Sequence, residues 1–147
     1  MLSKENLSKF IILIFLAIFI FHILAVCFYL YWVVWWLDII MHVLGGLWIA
    51  LLAAWFLYFS GKVNINNTSS FSVLIIILGI VALGGVLWEF FEFSFDKIIL
   101  GKIENFIKLA GPVQLGVSDT MSDLFFDLAG GLLGGLIFLK RIKHEKT

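Results

Sequence analysis

The chain has 147 residues, 63% of them hydrophobic and only 14% charged, and its ten basic and ten acidic side chains cancel. That length fits one domain, the composition excludes an ordinary soluble protein, and the lack of a basic run interleaved with aromatics excludes nucleic acid as a partner. The single cysteine, Cys27, excludes an intramolecular disulfide and a cysteine-rich zinc site.

A helix needs roughly 20 apolar residues to cross the hydrocarbon core of a bilayer. The first such stretch runs from Phe10 to about Leu30. Lys4 and Lys9 precede it, as in a signal peptide, but the apolar run continues to Trp36 without a small-residue cleavage site, so a mature helix is expected. Cys27 is expected to pack there as a small apolar residue. His22 stands alone near the middle of this span, where a neutral imidazole bonded to a neighbouring helix is expected, with Asp127 at a similar depth.

The second span, Asp38 to Phe59, opens with Asp38 and His42 four apart and therefore on one face. The third, Phe71 to Phe93, closes with Glu89 and Glu92 three apart. Between Ser94 and Ser118 the chain turns polar. Its apolar residues Phe95, Ile99, Ile103, Phe106, Ile107 and Ala110 recur at helical spacing among Lys97, Lys102, Glu104 and Lys108. This pattern predicts an amphipathic helix lying in the membrane interface, ended by Gly111, Pro112 and Gly116. The fourth span, Thr120 to Leu139, follows Asp119 and carries Asp123 and Asp127, a stripe repeating every four residues that reaches about 12 Å along the helix. The reading is all-α: one transmembrane domain over residues 1–147, with four transmembrane helices and one amphipathic interfacial helix.

Lys4, Lys9, Lys62, Lys140, Arg141, Lys143 and Lys146 share one side in this topology. They are seven of the ten basic residues, and the positive-inside rule makes that side, with both termini, cytoplasmic. Trp32, Trp35, Trp36 and Trp88 then fall at the outer interface of the cytoplasmic membrane, and Trp55 with Tyr58 at the inner one.

All acidic residues except Glu5 and Glu145 fall on the outer side. Asp38 and Asp119 sit at helix N-termini, where capping accounts for a carboxylate at least as well as function does. Capping does not explain Glu89 and Glu92, at the C-terminal end where the helix dipole opposes negative charge. Nor does it explain Asp123 and Asp127, one and two turns inside, where an acidic side chain costs up to roughly 2.5 to 3.5 kcal/mol at mid-membrane. A bound multivalent cation, shared protons or a water-filled cavity would each offset this. Carboxylates with one imidazole favour magnesium, manganese or calcium over zinc. Glycines at 45, 46, 84, 85, 130, 131, 134 and 135 let the three acidic helices approach closely.

The strings WLDIIMHVLGG (Trp36 to Gly46), LWEFFEF (Leu87 to Phe93) and SDTMSDLFFDLAGG (Ser118 to Gly131) resemble the YjdF-like family of uncharacterised bacterial inner-membrane proteins. That resemblance implies an Asp and His opening one span, a glutamate pair closing another, and an Asp-Thr-x-x-Asp string opening the last, with no established reaction. The run from Asp123 to Gly134 also resembles the end of VanZ-like proteins, which are associated with glycopeptide resistance at the cell envelope, although Asp127 stands where an asparagine is expected.

The leading expectation is a metal-dependent hydrolase or transferase of the outer leaflet, acting on a lipid or lipid-linked phosphate or ester. Glu89, Glu92, Asp119, Asp123 and Asp127 would hold a divalent metal ion and Asp38 with His42 would act as the acid/base pair. The alternatives are a transporter or channel component using the Asp119, Asp123, Asp127 stripe for protons or cations, and a structural membrane subunit.

Overall fold

The computed structural model describes residues 4–60, 67–98 and 112–144. Within them lie α1 (Lys4–Cys27), α2 (Leu30–Val33), α3 (Leu37–Phe59), α4 (Ser70–Ile98) and α5 (Val117–His144), with no strand among the described residues. All but the one-turn α2 are long and apolar enough to cross a membrane, and the four spans correspond to those read from the sequence.

Their ends differ in an instructive way. Apolarity marks the depth of lipid, whereas backbone hydrogen bonding decides where a helix stops, so α1 begins in its polar flank at Lys4 and stops at Cys27. There Tyr29 takes a left-handed conformation (φ 58°) that turns the chain into α2. Cys27 is exposed on the protein surface instead of packed. The third span overruns its expected end at Phe93 and continues to Ile98. At 29 residues α4 is about 43 Å long against a core of about 30 Å, so Ser94 to Ile98 extend the span and do not begin a separate element. The centre of the expected interfacial helix, 99–111, lies outside the described residues.

On α4 the buried positions Val73, Ile77, Val81, Gly85 and Glu89 recur every four residues, followed by Glu92. One continuous stripe therefore faces the protein interior, and its chemistry changes along its length from branched aliphatic to acidic. The same change occurs on α3, from Leu57, Ala54 and Ala50 to His42, and on α5, from Ile142 and Phe138 to Asp127 and Asp123. One end of the bundle is apolar, closed by Leu7 and Ile11 of α1 against Leu57, Phe138, Leu139 and Ile142. The other end is polar.

Helices α3 and α5 make the most extensive contact. A Cβ at Gly46 would strike the Asp127 carbonyl, and one at Gly130 would strike that of Val43, so the two backbones nearly touch at these points. Lipid tails are as apolar as leucine, so helices gain little hydrophobic driving force from association in a bilayer, and contact at small residues supplies van der Waals attraction instead. Helix α1 packs along α3 through Phe15 on Trp48 (centroids 4.9 Å apart) and a hydrogen bond from Trp48 Nε1 to the Ile11 carbonyl (3.1 Å), and leaves Ile12, Leu13, Phe19 and Ile20 exposed to face lipid.

Candidate functional site

The spacing of Asp38 and His42 puts both on the inner face of the first turns of α3. Glu89 and Glu92 close the inner stripe of α4, and Asp123 and Asp127 open that of α5. Antiparallel packing brings these three helix ends to one level, where His42, Glu89, Glu92, Asp123 and Asp127 are all buried and Asp38 is partly exposed.

The imidazole of His42 is the hub. Its Nδ1 lies 3.3 Å from Asp127 Oδ1, a contact that favours the tautomer with its proton on Nδ1, in which Nε2 carries the lone pair. Nε2 faces Asp38 Oδ1 and Asp123 Oδ1, each at 3.7 Å. These separations exceed hydrogen-bond length but come close to the about 3.4 Å between ligand atoms arranged tetrahedrally at metal distances of about 2.1 Å. Donor atoms of Asp38, His42 and Asp123 lie within 4.8 Å of one another, and so do those of His42, Glu89 and Glu92. Because Nδ1 is engaged by Asp127, Nε2 is the nitrogen that His42 has to offer, and His42 is the residue that the two sets share.

Asp127 occupies a slot made by small residues. A Cβ on Gly85 would collide with its Oδ2, one on Gly45 would lie 4.0 Å from its Oδ1, and one on Gly46 would strike its backbone carbonyl. Thus α4 and α3 both give up side-chain volume to admit this carboxylate.

The glutamates are held from outside the cluster. Trp88 Nε1 donates to Glu92 Oε1 (2.9 Å), and Gln114 Nε2 donates to Glu89 Oε2 (3.0 Å). Glu89 is only 4% exposed, and its other oxygen, Oε1, is buried with no hydrogen-bond partner among the described residues. A buried carboxylate oxygen without a partner is costly.

Asp119 is held differently. Its Oδ2 accepts the backbone N–H of Leu115 (2.9 Å), tying the segment before α5 to the helix's first turn, and it is not among the donor sets that converge on His42. His22 lies apart from Asp127: its Nδ1 is 2.7 Å from the Tyr31 hydroxyl, and its ring meets Trp88 edge-on. Asp127 instead pairs with His42. Burial, then the charges of Asp38 and Glu92, raise the Tyr31 phenol above its ordinary pKa of 10.0.

Gln114 and Tyr31 are the site residues that sequence spacing did not reveal. Both sit in non-periodic connections, and only the glycine and proline punctuation around Gln114 hinted at a defined turn.

Residues 3–144 match a family described as Predicted membrane protein (DUF2238), and the chain belongs to that family. No curated protein and no solved structure matches it.

Proposed function

We propose that this member of a predicted membrane-protein family is a divalent-cation protein whose centre is built on His42 Nε2, with Glu89, Glu92, Asp38 and Asp123 as oxygen donors. The observation that carries the reading is Glu89 Oε1, a buried acceptor with no hydrogen-bond partner among the described residues, on a side chain that shares a donor set with His42 and Glu92. Among the described residues these carboxylates have one imidazole as a basic neighbour, and no lysine or arginine pairs with them. A cation would supply the missing positive charge and the missing partner together.

The roles differ from those that spacing alone proposes. His42 becomes a ligand. Asp127, not Asp38, orients the imidazole, as carboxylates behind metal-bound histidines do. Asp119 shapes the entry to α5. Manganese and zinc both accept a nitrogen with several carboxylate oxygens, and magnesium or calcium would rely on the oxygens alone.

In our reading the ion serves hydrolysis or transfer at a lipid-linked phosphate or ester, with water as the attacking group. A bound divalent ion lowers the pKa of water toward neutrality. Support for a lipid substrate comes from the position of the cluster at the helix ends, where headgroups lie, and from the exposed Trp35, Leu115 and Val117 near it. By the positive-inside rule this end faces outward from the cytoplasmic membrane. The resemblance to YjdF-like proteins, and more distantly to VanZ-like ones, fits a cell-envelope role without assigning a reaction. A proton or cation pathway along Asp119, Asp123 and Asp127 finds less support, because beyond Asp127 the stripe on α5 continues through glycines packed on Val43, Leu47, Val81 and Leu74.

The test is to load purified protein with Mn²⁺ in mixed micelles of anionic and zwitterionic phospholipids and follow products by mass spectrometry, beside His42→Ala. Metal-dependent release of a phosphate or acyl group, lost in the variant, is the expected result. Tight binding of Mn²⁺ without turnover of any phospholipid or lipid-linked phosphate would overturn the enzymatic half of the reading.

A further inference from the structure

Gln114 lies in the irregular segment before α5, and that segment is fastened from several helices. The carboxylate of Asp96, on the last turns of α4, accepts the backbone N–H groups of Val113 (3.0 Å) and Gln114 (2.9 Å), and Trp32 Nε1 donates to the Pro112 carbonyl (3.3 Å). These contacts fix the backbone at residue 114, and the side chain then points inward. Its amide nitrogen has two N–H donors, and it lies 3.0 Å from Glu89 Oε2 and 3.1 Å from Thr120 Oγ1. One amide therefore bridges α4 and α5 over the acidic cluster.

The consequence falls on Glu89. Its Oε2 is engaged by Gln114, which restrains the carboxylate's rotation and disfavours chelation through both oxygens, and Oε1 is left buried without a hydrogen-bond partner among the described residues, on a side chain that shares a donor set with His42 and Glu92. We propose that Gln114 is a positioning residue of the cation centre, engaging one oxygen of Glu89 so that the other is presented as a single ligand oxygen. This inference rests on the cation reading above and adds to it a residue outside the donor sets. A neutral amide suits the role: a lysine would neutralise Glu89 and compete with the ion, and a glutamate would repel it. Residues that hold a metal ligand in this way typically account for about 10 to 100-fold in metal affinity.

The experiment measures Mn²⁺ affinity by calorimetry in detergent for wild type, Gln114→Leu, Gln114→Glu and Asp96→Asn, with thermal midpoints alongside. Infrared spectra with isotope-labelled glutamate, taken with and without Mn²⁺, read the carboxylate stretching bands, whose splitting separates single-oxygen from two-oxygen coordination. Gln114→Leu leaves a side chain of comparable bulk, one atom shorter, and removes its donors. It is expected to weaken Mn²⁺ binding by about 10 to 100-fold and to shift a glutamate band already in the metal-free protein, a shift that Glu89→Gln abolishes. Asp96→Asn, which leaves the Gln114 amide in place, is expected to weaken binding less than Gln114→Leu does. Wild-type affinity and band pattern in both folded Gln114 variants would overturn the positioning role while leaving the cation centre intact. Folded wild-type protein that binds no Mn²⁺, Mg²⁺, Ca²⁺ or Zn²⁺ would overturn the cation reading and this role with it.

Discussion

His42 Nδ1 lies 3.3 Å from Asp127 Oδ1, a contact that closes between α3 and α5 across 85 positions of sequence. It orients the imidazole so that Nε2 faces the carboxylates of Asp38 and Asp123, each 3.7 Å away. Asp127→Asn keeps the shape and an acceptor but removes the charge. It is expected to weaken divalent-metal binding by about 10 to 100-fold, with a smaller effect on the thermal midpoint than Asp127→Leu, which leaves the imidazole N–H buried without an acceptor at a cost of about 1 to 3 kcal/mol. Calorimetric titration beside thermal denaturation checks both.

Contact between α3 and α5 depends on backbone proximity at Gly46 and Gly130. Gly46→Ala places a methyl group against the Asp127 carbonyl, which cannot yield as a flexible side chain would. A loss of about 1 to 3 kcal/mol is expected, together with weaker metal binding because Asp127 is displaced. Gly79→Ala is the control, because a Cβ there meets nothing within 4 Å. Its helix propensity should make it neutral or stabilising by up to about 1 kcal/mol. Thermal midpoints in one detergent rank the two, and equal destabilisation would contradict the packing.

The four spans and the polar end of the bundle were legible in the sequence because each rests on a repeating signal. Runs of apolar residues set the spans, and spacings of three and four place Asp38 with His42, Glu89 with Glu92, and Asp123 with Asp127. The pairing of His42 was not legible. Asp38 shares its helix face, but helical geometry leaves Asp38 Oδ1 3.7 Å from Nε2, whereas Asp127 reaches Nδ1 from another helix through a slot of glycines. Periodicity reports which face a residue occupies and not which partner wins there. Tyr31 and Gln114 were invisible for a related reason. Each is aimed by a local turn, one through Tyr29 at φ 58° and the other ahead of Gly116 at φ 114°, and turns carry no repeat.

Tyr31 gives the site an alkaline signature. Its phenol is raised above 10.0 by burial and by the nearby Asp38 and Glu92 carboxylates. A group whose folded pKa exceeds its unfolded one holds its proton longer in the native state, so its contribution to stability is complete below the unfolded pKa, near 10, and is lost as pH rises from there through the folded value. Wild type should therefore lose stability steeply above pH about 10, and Tyr31→Phe should lose less over the same range. Ultraviolet difference titration of wild type against Tyr31→Phe should place the missing ionisation above that of a free tyrosine. An ionisation at the ordinary position would show that the phenol is solvated.

Asp96 receives two backbone N–H groups, and charged acceptors of this kind contribute about 1.5 to 3 kcal/mol per hydrogen bond. Asp96→Ala is expected to accelerate amide exchange at Val113 and Gln114 strongly while leaving exchange in the apolar half of α4, around Ile77, unchanged. Hydrogen exchange read by mass spectrometry tests this, and unchanged protection at 113–114 would contradict the clamp.

The most direct test of the cation centre is the metal content of protein purified without added metal and then offered Mn²⁺, measured by elemental mass spectrometry for wild type, Glu89→Gln and His42→Ala. Stoichiometric divalent metal in wild type, reduced in both variants while all three remain folded, is the predicted result. Folded wild type that carries no divalent metal and takes up no Mn²⁺ would contradict the account, and would leave shared protons or a water-filled cavity as the means by which this buried cluster is accommodated.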